Sequence, residues 1–232
     1  MIGEILPPGV ESAELFHDPA DLGLFPEERA QIARAVDKRQ REYASARHCA
    51  RAAMGRLGLD PVGILKDEKG APQWPRGIVG SMTHTEGYRA AAVGFSMGMR
   101  SVGIDAEQHA PLPSDGVLSS VSLPAEREWL AAAGSGESSG SGPGEGGVHW
   151  DRLLFSAKES TYKAWYPLTE RWLGFEDAHI TFSLVHEGDS PAGTFHSRLL
   201  VPGGTLAGDE LTGFDGRWVV RGGLVVTAIA VI

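Results

Sequence analysis

The stretch Phe155-Ser-Ala-Lys-Glu-Ser-Thr-Tyr-Lys-Ala-Trp165, read together with Val102-Gly-Ile-Asp-Ala-Glu107, decides the reading of this chain. The first predicts a helix. Leu154, Ala157, Thr161 and Trp165 form one largely apolar stripe, and Glu159 and Lys163 stand four apart, one turn above the other. The helix is expected to run from Trp150 to Tyr166 and to end at Pro167. The second stretch predicts a strand. Alternate side chains share a face, so Val102, Ile104 and Ala106 point to the core while Asp105 and Glu107 point together to the other side. If strand and helix meet, Asp105, Glu107 and Glu159 come together with Lys158 and Lys163. Three carboxylates suit a hard cation such as Mg²⁺, which takes oxygen ligands and usually keeps waters and substrate phosphates in its shell. The spacing alone equally permits a solvated strand end and an ordinary surface ion pair.

Working outward, Val79–Thr83 reads as extended, and Gly80-Ser-Met-Thr-His84-Thr-Glu-Gly87 is a small-residue loop of the kind that lets backbone N–H groups approach phosphate. Tyr88–Phe95 is a strand, and Ser96–Arg100 is expected to turn it back into Ser101–Glu107 as a hairpin. Upstream, Pro26-Glu-Glu-Arg-Ala starts a helix that continues from Arg39 to Leu57. Arg39, Arg47 and Arg51, spaced by eight and four, fall near one face. Ile64-Leu-Lys66 is a short strand candidate, followed by a turn at Asp67–Pro72. Downstream, residues 134–147 are almost all glycine and serine. They offer little apolar surface to offset ordering entropy and read as a flexible loop. The tail, with Gly222-Gly223 between two apolar runs, is a hairpin.

The bulk properties exclude several classes. The 232 residues suffice for one large or two small domains, and the net charge of -9 with no Lys/Arg run argues against nucleic-acid binding. The single cysteine, Cys49, excludes an intramolecular disulfide and fits a reducing cytosol. No run approaches the ~20 apolar residues of a membrane helix, and no secretory leader is visible. The eight histidines show no zinc-ligand spacing.

Val-Gly-Ile-Asp105-Ala-Glu107 and Phe-Ser-Ala-Lys158-Glu159-Ser-Thr-Tyr-Lys163-Ala-Trp closely resemble the two signature motifs of 4′-phosphopantetheinyl transferases of the surfactin-synthetase/enterobactin type. The likeness extends to Gly80-Ser-Met-Thr-His84, to Ile64-Leu-Lys66 with Lys69-Gly-Ala-Pro72, and to the Arg39–Arg51 helix. It implies an α+β fold of two similar α/β subdomains, residues 1–101 and 102–232, related by a pseudo-two-fold with the active site at their junction. It implies transfer of the 4′-phosphopantetheine group of coenzyme A to a serine of an apo acyl or peptidyl carrier, including carrier domains of polyketide and nonribosomal peptide synthases. Mg²⁺, with Mn²⁺ as an alternative, would sit on Asp105, Glu107 and Glu159. Glu159 would also be the general base, Lys163 would stabilise the leaving group, and Lys158 would hold the diphosphate. Arg39, Arg47 and His84 match positions that hold the 3′-phosphate. Thr83, Lys66, Gly70, Ala71 and Pro72 match the nucleotide side. Leu112, Val117 and Leu118 are candidates for the carrier-docking patch. A cytoplasmic monomer is expected. The competing expectations are another Mg²⁺-dependent phosphodiester-cleaving enzyme and a silent CoA- or carrier-binding module.

Overall fold

The computed structural model describes residues 1–134, 147–206 and 208–232. Its first half runs β1 (Val10–Leu15), α1 (Pro26–Ile32), α2 (Asp37–Arg56), β2 (Ile78–Thr85), β3 (Tyr88–Phe95) and β4 (Ser101–Gln108). Next come α3 (Asp115–Val121), α4 (Pro124–Gly134) and α5 (Trp150–Thr169), then β5 (Ala178–His186) and β6 (Ala192–Leu199). The chain closes with the short pair β7 (Thr205–Leu206) and β8 (Asp209–Glu210), then β9 (Gly213–Arg221) and β10 (Leu224–Val231). The fold is α+β, with one antiparallel sheet ordered β1-β3-β2 and a larger one ordered β4-β10-β9-β6-β5.

Strand periodicity explains the layering. On β3, Ala91 and Val93 face α2 and pack with Cys49, Ala50, Ala53 and Met54. Ala90 and Ala92 face the other way and meet Val102, Ile104, Ala106, Val226 and Ala228 of the second sheet. On the far side of that sheet Trp218, Val225, Ile229 and Phe195 pack against Leu153, Ala157, Ala164 and Trp165 of α5. The order is therefore helix, sheet, sheet, helix, with an apolar layer between each pair. Small alanines on β3 allow close approach from both sides. Cys49 sits in the first of these layers, where burial pushes its thiol up to about 12, so it is an inert core residue.

Five expectations about elements need correction. The stretch 80–87, expected as a small-residue loop, is strand as far as Thr85, paired residue by residue with β3. The expected hairpin from Tyr88–Phe95 into Ser101–Glu107 does not form. Strand β3 has both edges taken, by β1 and β2, and β4 crosses to the second sheet to pair with β10. The hairpin is instead β2–β3, turned at Glu86-Gly87 with Gly87 at φ +70, a conformation that costs glycine little. Pro167 does not end α5, which continues to Thr169 and stops at left-handed Glu170. The proline sits in the last turn, where only one intrahelical bond is lost. Ile64-Leu-Lys66 makes only a single bridge, Lys66 to Pro72. The first helical stretch is two helices, interrupted at residues 33–36. The expected glycine-serine loop 134–147 lies, apart from its two end residues, outside the described residues.

Candidate active site

Strand β4 is an edge strand of the second sheet, and its outer edge faces β2. Two hydroxyls of β2 satisfy it: the Ile104 N–H donates to Ser81 Oγ at 3.1 Å and the Ala106 N–H to Thr83 Oγ1 at 3.0 Å. Thr83 Oγ1 also donates to Asp105 Oδ1 at 3.3 Å. Thr83 therefore joins the two sheets and orients the carboxylate.

Across the other face of β4 lies α5. Gly103 makes the approach possible, since a Cβ there would overlap the Ser160 carbonyl oxygen and lie 2.6 Å from the Ala164 nitrogen. At that separation Lys163 Nζ donates to Asp105 Oδ1 at 2.7 Å and to the Ile104 carbonyl at 3.1 Å. Asp105 is buried, and its second oxygen, Oδ2, has no hydrogen-bond partner among the described residues. Glu159 lies one turn before Lys163. Burial pushes its carboxyl above the ordinary carboxylate range, Lys163 pulls it down and Asp105 pushes it up again. Burial also raises the Glu107 carboxyl, with Asp105 adding to the rise and Arg152 opposing it. Glu107 on β4 and Glu159 on α5 thus each feel the charge of Asp105.

Lys158 does not join them. Its side chain is buried, and its ammonium meets Glu126 at 2.8 Å and donates to the Phe175 carbonyl at 2.6 Å and the Ala178 carbonyl at 3.0 Å. All three of its donors are used, so the expectation that it holds a diphosphate finds no support in the geometry. A residue that the sequence reading missed stands in its place. Arg152 contacts Glu107 at 3.0 Å. It lies seven residues before Glu159 and eleven before Lys163, so all three share a stripe of the helix. That spacing was the available signal. Three carboxylates against two cations leave one negative charge uncompensated.

Among the described residues no group of three or more His, Cys, Asp or Glu side chains is gathered closely enough to hold a metal ion by itself. The donor set nevertheless fits a hard divalent ion that keeps part of its shell for water and phosphate. It offers only carboxylate oxygens, one of them buried and unpartnered.

Glu159 and Lys163 line a cavity of about 370 Å³ with Tyr162, Tyr166, Ser81 and the Asp67–Pro72 segment. That segment is a tight turn in which Asp67 Oδ1 accepts from the Lys69 and Ala71 N–H groups at 2.9 and 2.8 Å. It is tied to α5, since Tyr166 Oη donates to Asp67 Oδ2 at 3.2 Å and Lys69 Nζ to the Glu170 carbonyl at 3.3 Å. Gly70, Ala71 and Pro72 thus line the wall opposite Glu159 and Lys163. Lys66 is exposed and only its backbone is engaged, with Gln31.

The arginine face of α2 divides into three jobs. Arg39 Nη1 lies 2.6 Å from His84 Nε2, so the imidazole accepts there and is neutral. Burial of the ring lowers the His84 pKa and Arg39 lowers it further, with Glu42 opposing and Lys163 adding a smaller decrease. Arg47 stacks on Tyr43 with its Cζ 3.6 Å from the ring centroid and donates Nε to the Ile64 carbonyl at 3.2 Å. Its pKa is lowered chiefly by burial, with Arg39 contributing. Arg51 is structural: it pairs at 2.8 Å with Glu28, which is fully buried.

The comparisons with known proteins agree with this geometry. Residues 27–94 match the 4′-phosphopantetheinyl transferase N-terminal domain and residues 101–197 the 4′-phosphopantetheinyl transferase superfamily. The chain is 58% identical over 232 residues to the 4′-phosphopantetheinyl transferase Npt of Nocardia iowensis, covering 99% of each protein. It is 54% identical over 235 residues to the transferase Svp of Streptomyces mobaraensis, covering all of this chain and 89% of that one. It is 54% identical over 217 residues to the transferase PptT of Mycobacterium tuberculosis, covering 94% and 90% respectively. An α+β fold with an acidic seam between β4 and α5 thus goes with sequence similarity to transferases along the whole chain. The chain belongs to the 4′-phosphopantetheinyl transferase superfamily.

Proposed function

We propose that this chain transfers the 4′-phosphopantetheine group of coenzyme A to a serine of an apo acyl or peptidyl carrier, leaving 3′,5′-ADP. The observation that supports this most is the buried, unpartnered Asp105 Oδ2 on the carboxylate that Lys163 holds; Lys163 and Glu159 in turn line a cavity large enough for part of a nucleotide ligand. Family membership narrows the reading from phosphodiester chemistry in general to this transfer.

The residues divide the work as follows. Arg39, Arg47 and His84 would take the 3′-phosphate. Three mutually repelling or cation-facing groups are relieved when a phosphate enters, which favours CoA over its dephospho form. Lys66 and the Gly70–Pro72 turn would border the nucleotide. Asp105, Glu107 and Glu159 would hold Mg²⁺ or Mn²⁺, which when bound supplies charge compensation for the diphosphate. Glu159, its basicity raised by burial, would take the proton of the carrier serine. The serine oxygen then bonds to the phosphorus that bears the pantetheine. The bond from that phosphorus to the bridging oxygen breaks, and the electron pair leaves on 3′,5′-ADP. Lys163 would meet the charge that develops on the leaving phosphate.

The acceptors we infer are free carrier proteins and carrier domains of polyketide and nonribosomal peptide synthases, met by a monomer organised as two lobes that divide near residue 101. Leu112, Val117 and Leu118, half-buried on and before α3, would form an apolar docking patch. Replacing Leu118 by Asp should raise the carrier KM and leave CoA affinity unchanged; unaltered carrier kinetics would remove the patch from the account.

Incubating the protein with CoA, Mg²⁺ and an apo carrier tests the function directly. A carrier mass increase of one phosphopantetheine is expected. CoA cleavage without a carrier adduct would mean hydrolysis, and CoA binding without turnover would mean a silent binding module.

A further inference from the structure

Arg152 is held by three acceptors from one short stretch of chain. Its Nη1 donates to Glu107 Oε2 at 3.0 Å, its Nε to the Ala110 carbonyl at 3.1 Å and its Nη2 to the Pro111 carbonyl at 2.8 Å. Beside it Asp151 Oδ2 accepts from the Leu112 N–H at 2.7 Å. The first turn of α5 thus grips residues 107–112 as they leave β4. The guanidinium is largely buried, and a planar fork is the one cationic group that can address several fixed acceptors at once.

A cation at this place raises a question of sign. Near a site for a divalent ion, Arg152 repels the ion by Coulomb's law and weakens its binding. Orientation acts in the opposite direction. Glu107 is the last acid of β4, and its neighbour Gln108 is the final strand residue. Beyond that point the ladder to β10 no longer fixes the backbone. Without Arg152 the carboxylate loses its hydrogen-bonded rotamer, although its own backbone is held in the ladder opposite Val225 and the His109 N–H donates to the Gly223 carbonyl at 2.8 Å. With it, Oε2 is occupied by the guanidinium, while the charge of Asp105 raises the Glu107 pKa.

We propose that Arg152 is a positioning residue of the cation site: it fixes Glu107 as a ligand through one oxygen and, through the Ala110 and Pro111 carbonyls, holds the chain that follows it. This inference rests on the reading of Asp105, Glu107 and Glu159 as the carboxylates that hold the divalent ion. Groups that hydrogen-bond to a metal ligand typically contribute 10–100-fold to metal affinity, and an effect of that order is the expectation here.

The test is Mn²⁺ binding to the full-length protein in the presence of CoA, read from the electron paramagnetic resonance signal of the free ion. Arg152→Met is expected to weaken Mn²⁺ binding by about 10–100-fold, and Arg152→Lys by less. In an Glu107→Gln background Arg152→Met should add little, because partners that act as a unit are non-additive. Carrier modification by Arg152→Met should recover as the metal concentration rises, with kcat approaching that of the wild type. A merely structural role would lower kcat at every metal concentration. Thermal melting identifies a variant that fails to fold, in which case Arg152→Lys carries the comparison. Binding of Mn²⁺ by Arg152→Met as tightly as by the wild type, or more tightly, would overturn the proposal, as would additivity with Glu107→Gln. If the wild type itself takes up no Mn²⁺ with CoA, the cation site falls and this inference with it.

Discussion

Lys163 Nζ lies 2.7 Å from Asp105 Oδ1, joining the middle of α5 to the edge strand of the second sheet. The bond holds one oxygen of Asp105 and leaves the other buried and unpartnered. It also sets Glu159, one turn away, against the same carboxylate. If Glu159 is the base at this seam, Glu159→Gln should lower carrier modification more than 100-fold, about 2.7 kcal/mol of transition-state stabilisation. Near-normal turnover of a folded Glu159→Gln protein would remove the residue from that role.

The contact between α5 and β4 depends on the missing side chain of Gly103. A methyl group there would meet the Ser160 carbonyl and the Ala164 nitrogen, both backbone atoms of the helix. Gly103→Ala should therefore displace α5 and cost about 1–3 kcal/mol of stability, the usual penalty for overpacking. A displacement of about 1 Å at the acids can lower the rate about 100-fold. Urea unfolding and carrier modification measured on the same preparation check both effects. Wild-type values for both would show that the seam is looser than described.

Lys158 is expected to act through stability. Removing it leaves Glu126 buried and without its cation, and breaking such a pair costs about 3–5 kcal/mol. Glu126 also accepts from the Ile180 N–H at 2.7 Å and the Leu123 N–H at 2.7 Å, so it ties α4, α5 and β5 together. Lys158→Met should unfold at markedly lower denaturant, with the CoA KM of the folded fraction unchanged. Unaltered stability with a CoA KM raised many-fold would restore Lys158 to the diphosphate.

The reach of the sequence can be judged from particular residues. Asp105, Glu107, Glu159 and Lys163 were legible because strand and helix periods each put them on one face, and the fold superposes those faces. The same periods could not choose strand partners, so β4 was assigned to the wrong neighbour. Period two is the same whether a strand pairs with β3 or with β10. Nor could spacing tell a lysine that meets Asp105 from one aimed into the core. Lys158 and Lys163 share a motif but lie on different faces of the helix, and only the position of Glu126, on α4, decides between them. The three arginines of α2 looked like one basic face. Tertiary partners far along the chain gave them three environments: His84 for Arg39, Ile64 for Arg47 and Glu28 for Arg51.

The neutral His84 beside Arg39 gives a pH signature. Burial and Arg39 lower its pKa below the ordinary value of about 6.5. Between the lowered and the ordinary value the unfolded chain binds more protons than the folded one, so stability rises with pH across that window. A phosphate placed between His84 and Arg39 reverses the local charge and favours the imidazolium. In a proton NMR titration the His84 midpoint should lie below about 6.5 in the free protein and move up on addition of CoA. Dephospho-CoA should move it less. Equal shifts with both ligands would show that the 3′-phosphate binds elsewhere.

The most direct measurement of the central claim is a crystal structure of the protein with CoA and Mn²⁺, with the ion located by its anomalous scattering. The account predicts one peak at Asp105 Oδ2, shared with the Glu107 and Glu159 carboxylates and with the CoA diphosphate. A diphosphate bound away from these side chains, or an ion that none of the three carboxylates touches, would contradict it.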